Sequence, residues 1–191
     1  MKSCRPYEWS PLMKTHRTVP VVTYETAAEA VAVGIREAER RGVKAVVTVV
    51  DPGLLPLALG RADGSPPHSL ETSRRKAMTA ASMRRPTATI PPELIIPLEH
   101  GSGGLITSIQ GGVPLTFDGS CVAGLGVAGG TPEQDAGIAR AILIAIGADD
   151  VSESTNYEGG TVSKRHIADV LADPTHEEDE AGVFGSTRYN R

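Results

Sequence analysis

The chain has 191 residues, a mass of 20.0 kDa and a formal net charge of -4, which suits one domain plus some extra chain. Its 40% hydrophobic and 22% charged residues can build a packed core, so global disorder is ruled out. No window approaches the ~18 apolar residues of a membrane span, and the opening residues lack the apolar stretch of a secretory signal. With only Cys4 and Cys121 available, a disulfide framework is out of reach, and a cytoplasmic protein with free thiols is expected.

Charge is unevenly spread. Residues 1–151 hold 15 acidic and 15 basic side chains, while residues 152–191 hold 8 acidic and 4 basic, with the densest run at Glu177-Glu178-Asp179-Glu180. A neutral main body argues against a phosphate-tracking nucleic-acid surface, and the acidic run reads as a solvated tail.

In chain order, Thr26-Ala27-Ala28-Glu29 is a capping box opening a helix with Ala27, Ala30, Val31, Gly34, Ile35 and Ala38 on one face, ended by Gly42. The β-branched run Val43 to Val50 predicts a strand, and Asp51-Pro52-Gly53 a turn into a second strand, Leu54 to Leu59. Pro56 cannot donate to a ladder, which puts that strand at an edge or beside a bulge. A helix follows from Ser69 to Arg84, stopped before Pro86. Pro91 to Gly104 reads as irregular with one short helical turn. Leu105 to Ile109 and Val113 to Phe117 read as strands, and Asp118-Gly119 signals a tight hairpin into Cys121 to Ala128. Thr131-Pro132-Glu133-Gln134 caps a last helix with Ala136, Ala139, Ile142, Leu143 and Ile146 as its apolar stripe. A further amphipathic helix is expected at Lys164 to Ala172. Hairpin-joined strands with helices around them predict an α+β fold, an α-β-α sandwich on an antiparallel sheet. The divisions expected are an N-terminal extension (1–23), a domain (24–148) and an acidic C-terminal extension (149–191).

Gly124-Leu125-Gly126-Val127-Ala128-Gly129 matches the dinucleotide fingerprint literally, but it follows a hairpin and lies wholly before its helix. Glycines permitting close helix–strand packing are the better reading. The five histidines show no i,i+4 pair and no C-x-x-C accompanies them, so structural zinc is not expected. His68, just before a helix, and His100, in the glycine-rich stretch, could each ligate an iron porphyrin, although a surface-loop histidine is the commoner reading of either alone. Gly129, Gly130 and Thr131 stand at a helix N-terminus, where backbone amides favour anions. Asp51, Asp63, Asp118 and Asp135 fall at turns or helix starts. If gathered at one end of the sheet, these carboxylates could hold iron or orient a polar ligand.

Several segments together resemble one family. They are Val49-Val50-Asp51-x-Gly53, Arg61-x-Asp63-Gly64, Arg75-Lys76-Ala77-x-Thr79-Ala80-Ala81, Gly111-Gly112-Val113-Pro114-Leu115, and Asp118-Gly119 running to Gly124-x-Gly126-Val127-x-Gly129-Gly130-Thr131-x-x-Gln134-Asp135. This pattern resembles the GlcG/HbpS family of small haem-binding domains, also found at the C-terminus of PduO-type proteins. The resemblance implies a profilin-like α-β-α sandwich, homo-oligomers from tetramer to octamer, and binding of haem, iron or a corrinoid-related partner. Two departures stand out: the family's usual Arg-Met-Asp-Gly-Ala is Arg61-Ala62-Asp63-Gly64-Ser65 here, and Val-Ser-Gly-Gly is Val127-Ala128-Gly129-Gly130.

The expected haem pocket lies among Arg61 to Ser69, the helix bearing Lys76 and Thr79, and Gly129 to Thr131. His68 is the expected axial ligand, with His100 as the alternative, and Arg75 or Lys76 would pair with a propionate. A second possibility is a haem-independent enzyme acting on a small carboxylated or cyclic metabolite. In it Lys76 would be anchor or base and Asp118 or Asp135 the proton carrier.

Overall fold

The computed structural model describes residues 16–149. The expected helix at 164–172 lies outside the described residues, as do Cys4, His166 and His176.

Helix α1 (Tyr24–Arg40) starts earlier than the capping box suggested, because Thr23 is the N-cap and its Oγ1 accepts the Thr26 amide at 3.3 Å. Thr26 therefore lies inside the first turn, where Glu25 faces the positive end of the helix. Strand β1 (Val46–Val50) is buried at every position, as a β-branched run covered on both faces must be. Strand β2 (Pro56–Arg61) begins on Pro56, opposite a register shift at Val49/Val50, and forms one edge of the sheet. Helix α2 (Ser69–Met83) ends in a left-handed Arg84, before Pro86.

The Pro/Gly-punctuated stretch holds more helix than its sequence suggested: a 3-10 turn (Thr87–Thr89) and then α3 (Pro92–Gly101), started by Pro92 at its first position. Leu105 to Ile109 is not a strand, since the amides of Ile106, Thr107 and Ser108 are taken by side chains rather than by a ladder. Strands β3 (Gly112–Phe117) and β4 (Ser120–Ala128) form the expected hairpin, with Asp118 (φ 51°) and Gly119 (φ 74°) both left-handed, as a type I′ turn requires. Helix α4 (Pro132–Ala145) carries the full Thr131/Gln134 capping box, and Ile138 joins Ala139, Ile142 and Leu143 in its buried face.

The sheet order is β2-β1-β4-β3, antiparallel throughout. Alternation along β1 and β4 sends Val47, Val49, Leu125 and Val127 to the main core with α1 and α4, and Val50 to a second cluster with Ala77, Met78 and Ala81 of α2. The α-β-α sandwich is thus set by strand periodicity. On the α2 side Gly124 and Gly126 carry no side chain, and a Cβ at either would overlap the carbonyl oxygen of Ala77 or Ser73. The glycine pattern of β4 is a seat for α2.

Candidate functional site

Three residues in register, Arg61 on β2, Val46 on β1 and Ala128 on β4, mark one end of the sheet. The loop into α2, the Gly129–Thr131 turn and the segment entering β3 all leave from this end. Asp63 and Asp135 belong to it. Asp51, beyond β1, and Asp118, in the hairpin, stand at the opposite end. The four carboxylates are therefore split two and two by the antiparallel strands, and no group of three or more His, Cys, Asp or Glu among the described residues could hold a metal ion.

Lys76 and Asp135 meet inside the protein. The Lys76 Nζ donates to Asp135 Oδ2 at 2.7 Å and to the Val127 carbonyl at 2.8 Å, and the Gly130 amide donates to Asp135 Oδ1 at 3.0 Å. Their side chains are 1% and 4% exposed. Burial pulls the Lys76 ammonium below the usual lysine range, opposed by the hydrogen bond and charge of Asp135. Lys76 is thus committed to an internal partner. Asp118 is brought to neither of them.

A cleft of about 390 Å³ opens beside α2, lined by His68, Glu71, Thr72, Arg75, Glu99, Gly104, Ile106, Thr107 and Ile109. Its inner wall is one helical face, since residues 68, 71, 72 and 75 recur at helical spacing. Glu71 accepts from Arg74 Nε at 3.1 Å and from Arg75 Nε at 3.0 Å, and these two bonds hold its carboxyl below the usual carboxylate range. Arg75 runs under Gly104, whose φ of +78° and missing Cβ make room for the guanidinium.

Threonine and other polar side chains hold the outer wall. Thr79 Oγ1 accepts the Thr107 amide at 2.9 Å, Thr87 Oγ1 donates to the Ile109 carbonyl at 2.8 Å, and Glu99 Oε1 accepts the Ser108 amide at 3.2 Å. These bonds replace the ladder that a β-branched-rich segment would otherwise seek.

Of the residues singled out from sequence, His68 and Arg75 line the cleft and Thr79 supports its wall. His100 is exposed on α3, outside the cleft lining. Arg61 is exposed at the end of β2, and Gly129, Gly130 and Thr131 form the α4 cap around Asp135. Cys121 is half-buried in β4, and burial pushes its thiol up. Sequence reading missed Glu99, Gly104, Ile106, Thr107 and Ile109 as cleft residues. The i,i+7 relation of His68 and Arg75 was the one signal available. A second depression of about 450 Å³, between α1 and α4 and rimmed by Arg36, Glu37 and Arg40, gathers none of these residues.

Fold and site together define a small α-β-α sandwich with a ligand-sized cleft against its lone-side helix. The chain belongs to the HbpS-like family, described as haem degrading protein HbpS-like, whose profile matches residues 22–144. It is 34% identical over 116 residues to the protein GlcG of Escherichia coli K12, covering 58% of this chain and 84% of that one. The crystal structure of HbpS superposes with a TM-score of 0.63 at 32% identity, over 69% of this chain and 94% of that chain. A PduOC:heme complex superposes with a TM-score of 0.63 at 27% identity, over 68% of this chain and 97% of that chain. No described helix is long and apolar enough to cross a membrane.

Proposed function

We propose that the protein binds haem, or a related iron porphyrin, in the cleft between α2 and the 104–109 segment. One observation carries this reading: a single face of α2 presents the His68 imidazole and, two turns on, the Arg75 guanidinium, against the apolar Ile106 and Ile109. An imidazole is a common axial ligand of haem iron. Arg75 gives only its Nε to Glu71, which leaves the remaining guanidinium N–H groups for a carboxylate. Ile106 and Ile109 offer the macrocycle an apolar surface and shed water from the iron side. The donor set therefore fits the group, and the haem complex of the PduOC neighbour supports the assignment.

Haem bound there would supply a redox-active, light-absorbing centre. His68 would hold it, Arg75 would orient a propionate, and Thr79 would keep the opposite wall in place through Thr107. Lys76 is left out of this scheme because its ammonium is spent on Asp135. Self-association from tetramer to octamer belongs to the same reading, supported by the exposed Leu55 and by Leu59 on the edge strand β2.

The test is an absorption titration of the apo-protein with haemin. A saturable Soret band at one equivalent per subunit is expected, abolished or shifted in His68→Ala and retained in His100→Ala. A wild-type spectrum in His68→Ala would remove that ligand assignment. A response that never saturates would remove haem.

A further inference from the structure

Helix α3 is the least anchored element of the described chain. It has no buried residue, although its sequence, Pro92-Glu93-Leu94-Ile95-Ile96-Pro97-Leu98-Glu99-His100-Gly101, is mostly apolar. Leu94 is 46% and Ile96 77% exposed. Ten residues of helix would normally bury such side chains, since most helical stability in proteins comes from packing an apolar face.

The fastenings of α3 lie at its ends. Ile90 is buried just before it. At the other end Glu99 Oε1 accepts the Ser108 amide, and Ser102 Oγ accepts the Ile106 amide at 3.1 Å. Pro97 removes one backbone donor from the middle of the helix. Gly103 and Gly104 follow with φ of +65° and +78° and end the helix, their amides donating to the His100 and Glu99 carbonyls at 3.0 and 2.8 Å.

Direction follows from helical spacing. Glu99 lines the cleft, and residues three and four positions before it share its face. Those residues are Ile96 and Ile95. The apolar surface of α3 therefore lies along the cleft margin, on the same side as Ile106 and Ile109.

We propose that α3 is a cover for the cleft, whose Ile95–Ile96 face packs on the apolar edge of the bound ligand. The proposal rests on the reading of the cleft as a porphyrin site. The ligand class it selects is a flat, largely apolar molecule with a carboxylate at one edge: the carboxylate meets Arg75, the flat body lies between α2 and the Ile106/Ile109 wall, and α3 closes over its open edge.

Three measurements test it on the full-length chain, haemin being the probe. Hydrogen exchange of the 93–101 amides is expected to slow on haemin addition, beyond any change in α1 or α4. The double substitution Ile95→Ser/Ile96→Ser is expected to weaken haemin binding about tenfold or more, as loss of two buried aliphatic contacts would, with the Soret position and thermal midpoint unchanged. Light scattering on the same variant completes the set. Unchanged exchange together with unchanged affinity, in a wild-type protein that still saturates with haemin, would overturn the cover and leave the haem site standing. A fall in subunit number in the variant would overturn it too, by giving the apolar face to a second copy of the chain. Failure of the wild type to saturate removes both.

Discussion

Lys76 shows how far a single residue can be read. Its charge marks it as a candidate anchor, but its partner lies 59 positions away in sequence, and nothing local announces that distance. Once inside, the pair is a mutual obligation. Lys76→Met or Asp135→Asn leaves an uncompensated charge or dipole in the interior and should destabilise the fold by about 3–5 kcal/mol. Replacing both by apolar residues should recover much of that loss, as urea-unfolding midpoints of the three variants would show.

Glu71 is the contrasting case, an acid whose partners at i+3 and i+4 are legible from helical spacing alone. Arg74 and Arg75 hold its carboxyl below the ordinary 4.5. A depressed carboxylate contributes stability above its unfolded value and loses it as pH falls through the folded one. The Glu71→Gln variant should therefore lose its small increment of stability at pH 7, meet the wild-type curve at low pH and so show a shallower acid limb. Its side chain is 49% exposed, so screening keeps the effect under about 1 kcal/mol, and added salt should mimic it.

At the scale of elements, β4 and the 105–109 segment illustrate opposite outcomes. Gly124 and Gly126 fit a nucleotide fingerprint in spelling, yet their neighbours along the chain pointed to packing, and α2 does sit on them. Gly126→Ala places a methyl against the Ser73 carbonyl, and the thermal midpoint should drop by an amount equivalent to about 1–3 kcal/mol, the usual range for overpacking. Leu105-Ile106-Thr107-Ser108-Ile109 is a short, β-branched-rich run that read as a strand, and that expectation was wrong. Its hydrogen-bond partners are hydroxyls and a carboxylate from α2, α3 and the loops, which periodicity cannot register. The same limit hid α3, because prolines and glycines mark loops by default while a proline at the first helical position is favourable.

Across the whole molecule, the hairpin at Asp118-Gly119, the Thr131/Gln134 cap, the bounds of α2 and the edge position of β2 were legible from sequence, because each depends on residues within a few positions of one another. So was the layered architecture, since strand alternation and helical stripes state which faces must be covered. His68 and Arg75 were legible as chemistry, though not as walls of one cleft. The tertiary structure alone decided which carboxylates share a sheet end, that Lys76 turns inward to Asp135, and that Glu99, Ile106, Thr107 and Ile109 face α2. Those outcomes are contacts between segments tens of residues apart. Local sequence carries propensity and period, whereas the pairing of distant groups is settled only when strand order and packing bring them together.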